Sequence, residues 1–287
     1  MKFKNTVLPH TFSINAGGKL LSLHQPLVMG ILNLTPDSFY SGSRVADEKS
    51  YLSKAEQMLA EGAAILDLGG QSTRPKATAL PPSAECERVL PAIDSIMKRF
   101  PDAVISVDTY HAEVAKKAVE HGASIVNDIS AGNMDKQMIP VVGKLGTPYI
   151  AMHMQGTPAT MQDHPQYENV VQEVLDFFIR KTAECRQAGI KDIIVDPGFG
   201  FGKNSAHNYT LLHHLSVFHL LNIPLMAGLS RKSMIWRLLD ITPDEALNGT
   251  TALHMLALQQ GVHILRVHDV KPARQAIHLW EYYRQQS

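Results

Sequence analysis

The sequence predicts an α/β chain folded as a (β/α)8 TIM barrel, with an N-terminal hairpin capping the barrel bottom. Two observations carry this. Eight short, β-branched apolar runs recur along the 287 residues, and amphipathic segments of helical period separate them. The runs are near-continuous rather than alternating, as parallel strands covered on both faces require. Eight strand–helix alternations in a chain of this length favour a closed barrel over a doubly wound open sheet.

The elements follow in order. "TFSINAGGKLLSL" (11–23) sets two short apolar runs around Asn15-Ala16-Gly17-Gly18 and reads as a hairpin within an extension over 1–26. Strands are predicted at 27–33, 64–69, 103–108, 123–128, 147–153, 192–198, 223–228 and 262–268. Between them, 51–62 places Leu52, Ala55, Met58 and Leu59 at helical spacing, and Gly62 supplies the stop. Segments 82–100, 111–122, 166–189 and 244–261 read the same way, several closing on a glycine suited to a C′ position. No linker, charge block or internal repeat divides the chain, so one domain over 1–287 is expected.

Composition narrows the function classes. Lys plus Arg equals Asp plus Glu at 27 each, so no basic excess points to nucleic acid or anionic lipid. An anionic ligand must be held by local groups. The two cysteines, Cys86 and Cys185, stand outside any CxxC spacing and read as free thiols of a reducing compartment. The N-terminus lacks an apolar signal core, and no run approaches 18 uninterrupted apolar residues. A cytoplasmic protein without a membrane or nucleic-acid partner is expected.

The strand ends carry the functional argument. In such a barrel, C-terminal strand ends and the loops after them share one mouth. Those ends read Asn33, Asp67, Asp108, Asn127, His153 and Asp196, then Ser230 and Lys232, then Arg266 and His268. Packing alone requires none of them. Asp108, Asn127, Asp196 and Lys232 could form a buried belt matching a flat, nitrogen-rich heterocycle, since a carboxylate pairs with adjacent N–H groups through two parallel bonds. Asn33, Arg74, Arg266 and His268 could surround an anion such as a diphosphate. For Asp108 the bland alternative is a helix N-cap. The three glycines of "DPGFGFGK" (196–203) allow close backbone approach to a ligand, and Ser230, Lys232 and Ser233 stand at the opening turn of a helix.

Seven segments in this order resemble dihydropteroate synthases: "MGILNLTPDSF" (29–39), "LDLGGQSTRP" (66–75), "ISVDT" (105–109), "IVNDIS" (125–130), "DPGFGFGK" (196–203), "GLSRKS" (228–233) and "RVHDV" (266–270). The resemblance covers almost the whole chain after the hairpin. It implies joining of 6-hydroxymethyl-7,8-dihydropterin diphosphate to p-aminobenzoate, a step of folate synthesis that sulfonamides inhibit. It places the pterin on Thr73, Asp108, Asn127, Asp196 and Lys232, and the diphosphate on Asn33, Arg74, Arg266 and His268. Asn33 would also hold Mg²⁺. The p-aminobenzoate would meet Phe39, Thr73, Arg74, Pro75, Phe201 and Ser233. Asp108, Arg74, Lys232 and the lid residue Asp37 are the catalytic candidates, and a homodimer is implied.

The second loop departs from that family's usual Gly-Glu-Ser-Thr-Arg-Pro-Gly. Gln71 replaces the acid and Lys76 the last glycine, making the loop more positive, which is expected to alter loop dynamics or diphosphate affinity. Histidines suggest no zinc hydrolase, because strand one ends in Asn33-Leu34-Thr35 rather than His-x-His and no HExxH occurs. His213, His214, His219 and His254 are expected at surface or half-buried positions on helices. A pterin-binding corrinoid methyltransferase domain has no need of "TPDSF", "STRP" or "SRKS". A catalytically silent pterin-binding protein has no need to keep Asn33, Arg74, Lys232 and Arg266 together.

Overall fold

The computed structural model describes residues 12–34, 44–71, 79–163 and 165–286. Strands β1 (Ser13–Ala16) and β2 (Lys19–Ser22) pair antiparallel, Ala16 opposite Lys19. Their two-residue turn has Gly17 at φ 61° and Gly18 at φ 88°, the left-handed pair that a type I′ hairpin needs. Eight parallel strands follow: β3 (Leu27–Asn33), β4 (Ile65–Gly69), β5 (Ile105–Asp108), β6 (Ile125–Asp128), β7 (Tyr149–Met152), β8 (Ile193–Asp196), β9 (Met226–Ala227) and β10 (Ile264–Val267). The ladder runs β8-β7-β6-β5-β4-β3-β10-β9. A parallel bridge between Val195 and Leu225 joins its two ends, so the sheet closes into a TIM barrel.

Helices cover the outside. They are α1 (Arg44–Ala60), α2 (Pro82–Arg99), α3 (Ala112–Glu120), α4 (Met138–Leu145), α5 (Val170–Gln187), α6 (Ser205–His213), α7 (Ser233–Leu239), α8 (Leu247–Gln259) and α9 (Val270–Arg284). Their apolar faces and the outward faces of the strands form the larger core, including Val89, Ile93 and Ile96 of α2 and Phe178 of α5.

The barrel interior is layered by strand periodicity. Met29, Ile65, Val104, Ile125, Ile150, Ile194, Met226 and Ile264 make a dry layer at the N-terminal end, closed from below by Ile14, Ala16 and Leu23 of the hairpin segment. Side chains point inward at every second residue. Two residues further along, the same parity therefore reaches Ile31, Asp67, Ser106, Asn127, Met152, Asp196, Gly228 and Arg266. One step more reaches Asn33, Asp108 and His268. The chain turns from hydrocarbon to hydrogen-bonding chemistry within two layers, at the end where the strand-to-helix loops lie.

Three features differ from the sequence expectation. The strand expected over 223–228 makes a ladder only at Met226 and Ala227, because Pro224 has no N–H and the Leu225 N–H donates to the His263 ring at 3.1 Å. Helix α4 is absent from the expected set. Its Pro140 falls in the first turn, where no donor is missed, and a Cβ on its Gly143 would meet the Ala188 carbonyl. His254 is not a surface group: it is 2% exposed on α8. His111 and His121 flank α3 as its N- and C-cap residues, so Asp108 is not its N-cap.

Candidate active site

Strands β5, β6, β8 and β10 and the turn after β9 aim Asp108, Asn127, Asp196, Arg266 and Lys232 into one cavity. Ile129, Met152, Phe199 and Phe201 complete its wall. Gly228, at the inward parity after β9, leaves room beside Asp196, whose Oδ2 lies 3.8 Å from where a Cβ would stand. The Lys232 ammonium lies 4.3 Å from the centre of the Phe201 ring, a cation–π contact across the mouth.

Charge is concentrated here. Arg266 donates from Nε to Asp67 Oδ2 at 2.6 Å and from Nη2 to Asp108 Oδ2 at 2.5 Å. Asn127 Nδ2 donates to the same Asp67 oxygen at 3.1 Å. Burial pushes the Asp108 carboxyl up to about 7; the Arg266 charge opposes this, and the Asp67 and Asp128 charges reinforce it. Burial also raises Asp196, which accepts from the Gly198 N–H at 2.8 Å. Burial lowers Lys232 to about 8 against the pull of Asp196. Burial works against the Arg266 charge too, but Asp67 and Asp108 hold its pKa above the ordinary guanidinium value.

Two clamps, one buried and one half-buried, fix the loops that carry these groups. Behind the glycine loop, Lys203 Nζ is hydrogen-bonded to His153 Nδ1 at 2.8 Å and donates to the carbonyls of Phe201 at 3.0 Å and Gly198 at 3.1 Å. His153 accepts as a neutral ring, its pKa pushed far down by burial and by the Lys203 charge. It therefore holds the loop from behind and does not line the cavity. On the other side, Arg231 grips Asp269 with a two-pronged ion pair, Nε to Oδ2 at 2.8 Å and Nη2 to Oδ1 at 3.0 Å. That pair ties the turn holding Ser230, Lys232 and Ser233 to the turn after β10. Ser230 Oγ and His268 Nδ1 lie 3.1 Å apart, and the His268 N–H donates to Ser230 Oγ at 3.2 Å.

The structure brings together Asp108, Asn127, Asp196, Lys232 and Arg266, so Arg266, expected on the anion, stands within the belt. Phe201, expected beside a second substrate, is buried in the same wall with Tyr110, Met154 and Met161. Ser233 opens the seven-residue α7. Asp37, Phe39, Thr73, Arg74, Pro75 and Lys76 lie outside the described residues. Gln71 is turned inward, where its Oε1 accepts from the Leu80 N–H at 2.7 Å and the Tyr110 hydroxyl at 2.9 Å. Sequence reasoning left Asp67 and Lys203 without a role. The signal for Asp67 is its position, two residues after Ile65, matching Asn127 after Ile125 and Arg266 after Ile264.

Asn33 is exposed at the last position of β3, with its Oδ1 and the Asp108 carboxylate flanking Gly69. Among the described residues, no group of three or more His, Cys, Asp or Glu could hold a metal by itself. A single exposed amide oxygen at the end of a strand fits Mg²⁺, which keeps water and phosphate oxygens for most of its shell.

A barrel that gathers charged, amide and aromatic side chains around one cavity at its C-terminal mouth defines a binder of a small polar molecule. Residues 29–268 match the model of the pterin binding enzymes, so the chain belongs to that family. Within the family it is 45% identical over 268 residues to the dihydropteroate synthase of Escherichia coli K12, covering 93% of this chain and 94% of that one. The structure superposes on Yersinia pestis dihydropteroate synthase in a sulfonamide drug complex with TM-score 0.89 and 40% identity, over 96% of this chain and all of that one (100%). It matches Xanthomonas albilineans dihydropteroate synthase with 4-aminobenzoic acid at TM-score 0.89 and 38% identity, over 96% and 98% of the two chains.

Proposed function

We propose that the chain is a transferase of folate synthesis that condenses 6-hydroxymethyl-7,8-dihydropterin diphosphate with p-aminobenzoate, releasing 7,8-dihydropteroate and diphosphate. The observation that carries this reading is the convergence of Asp108, Asn127, Asp196, Lys232 and Arg266 on one cavity. Asp196 takes the amino-pyrimidine edge, Asn127 and Asp108 other ring nitrogens, and Lys232 the ring carbonyl and N5. Arg266 and His268 take the phosphate oxygens. The 4-aminobenzoic acid and the sulfonamide named for the two solved relatives support a second pocket at the mouth, built with Ser233, Phe201 and the loops bearing Asp37, Phe39, Thr73, Arg74 and Pro75.

The displacement is dissociative. The C–O bond to diphosphate breaks first, leaving a cation conjugated with the pterin ring, and the neutral aromatic amine then attacks the exocyclic carbon. Asp108 faces that cation in a site walled by Phe199, Phe201 and Met152, where a fixed charge acts with little screening. Arg266 neutralises charge on the departing anion, and His268, kept uncharged by burial and the Arg266 charge, hydrogen-bonds to it. Asn33 would hold Mg²⁺, which when bound supplies Lewis-acid stabilisation of the diphosphate. No nucleophilic side chain takes part.

A cytoplasmic homodimer completes the proposal. Among the described residues no helix is long and apolar enough to cross a membrane. Leu238 and Leu239 of α7, Leu256 of α8, and Leu279, Tyr282 and Tyr283 of α9 are exposed apolar groups suited to a second copy.

Diphosphate release by the purified protein tests the reaction. Release is expected to require Mg²⁺ and both substrates. Asn127→Ala and Arg266→Ala are each expected to lower kcat/KM by about 10²–10³, the usual loss for one charge-stabilising donor. Release equally fast without p-aminobenzoate, or none with both substrates, refutes the proposal; a corrinoid methyltransferase or a silent binder gives the second result.

A further inference from the structure

Asp67 is a carboxylate of the barrel interior that the proposed reaction does not use. It is 0% exposed, whereas its neighbour Asp108 keeps 11% of its side chain open at the cavity. One oxygen of Asp67 accepts from both Arg266 Nε and Asn127 Nδ2. The other, like Asp108 Oδ1, is buried with no hydrogen-bond partner among the described residues. Arg266 is thus held between two unequal carboxylates. A ligand entering the cavity reaches Asp108 and the outer edge of the guanidinium, but not Asp67.

We propose that Asp67 is a positioning residue, the fixed counter-ion that holds Arg266 and Asn127 in place so that Asp108 can leave Arg266 and serve the substrate. The inference rests on the reaction proposed above. A guanidinium has five N–H donors, and the two carboxylates occupy two of them through different nitrogens. The Arg266–Asp108 contact can therefore open while the Nε contact to Asp67 persists. With Asp67 neutral, Arg266 would have Asp108 as its nearest counter-ion and would withhold it from the reacting carbon.

Asp67→Asn, which keeps the shape and an acceptor, separates this role from a structural one. The groups bearing on Asp108 are Arg266 from β10, Asp67 from β4, Asp128 from β6, Lys232 before α7 and Glu85 of α2. Removing the Asp67 charge takes away a repulsion and frees the Arg266 charge for Asp108, and both changes lower the Asp108 titration midpoint. Carboxyl NMR titration of ¹³C-aspartate-labelled protein, with Asp108→Asn for assignment, is expected to show a fall of about one pH unit or more. The kcat for diphosphate release is expected to fall about 10–100-fold, as for loss of an orienting partner, with the KM for p-aminobenzoate unchanged.

A second measurement uses the Arg266 Nε–H resonance, assigned with Arg266→Lys. It is expected to remain slowly exchanging in wild type, in Asp108→Asn, and after addition of inorganic diphosphate. An unshifted Asp108 midpoint in folded Asp67→Asn, or loss of the Nε–H signal in Asp108→Asn, overturns the inference. Should Asp67→Asn not fold, the Nε–H experiment decides alone. Neither NMR readout needs turnover, so failure of the reaction assay and failure of this inference are separate results.

Discussion

Among single residues, Glu85 shows how a buried charge shapes stability. It is 0% exposed, with His111 Nε2 3.9 Å from its Oε2 and the Thr109 side chain beside its carboxyl. Burial pushes its pKa up to about 7; the Asp108 charge adds to this, and Arg88 and Thr109 oppose it. A carboxyl whose folded pKa is raised binds its proton more tightly when folded. Its stabilising contribution is complete below the unfolded value of about 4.5 and is lost as pH rises through 7. That shift corresponds to about 3 kcal/mol. The stability advantage of Glu85→Gln over wild type, measured by urea denaturation, is expected to widen by about 2–3 kcal/mol between pH 5 and pH 8; a gap independent of pH rejects this. Glu85 also marks a limit of sequence reading. Its helix is legible from period, but a glutamate in the first turn normally favours the dipole from the surface, and nothing local says that α2 buries it. Lys203 is unread for the same reason: it follows a glycine loop, and its carbonyl partners converge only after folding.

At the scale of elements, the loop after β8 shows why glycine spacing matters more than glycine number. Gly198 has φ 69°, and a Cβ there would run into the His153 carbonyl, which belongs to the same Lys203 clamp. Gly146, which caps α4, has nearly the same φ of 64° but nothing within 4 Å. Alanine at the two sites separates backbone strain from collision. Gly146→Ala is expected to cost about 1 kcal/mol and leave kcat/KM unchanged. Gly198→Ala is expected to cost more than about 3 kcal/mol and to lower kcat/KM even where the protein is folded, because Asp196 and Phe201 sit on that loop. Thermal unfolding with parallel activity assays checks both; equal costs would show that no collision exists. Elements with a strong period, such as α2, α3 and α5, are legible in the sequence. α4 is not, since Pro140 and Gly143 both read as breakers until the first turn and the Ala188 contact are known. β9 reads too long because a side chain, His263, takes a donor the ladder would have used.

The whole barrel divides its work along its axis. The hydrocarbon layer and the hairpin seal one end, and the carboxylates and cations that oppose close packing sit two residues further along the same strands. If the ends are energetically separate, they should fail separately. Ile14, 1% exposed in the lower layer, contributes packing and lies outside the mouth. Ile14→Ala is expected to cost about 2–4 kcal/mol of stability, read as a Tm lower by several degrees, with both KM values and kcat unchanged at 25 °C. Asp196→Asn is its mirror. Burial disfavours the Asp196 charge, and an amide oxygen still accepts from Gly198, so the fold loses little and can gain. The pterin edge, however, loses the carboxylate that takes two parallel N–H donors, and kcat/KM is expected to fall at least about 100-fold. Calorimetry and steady-state kinetics on the two variants and their double mutant check this. Additive stabilities with activity set by Asp196 alone match a barrel whose ends are independent. A rise in KM from Ile14→Ala would mean that the lower layer sets the shape of the mouth.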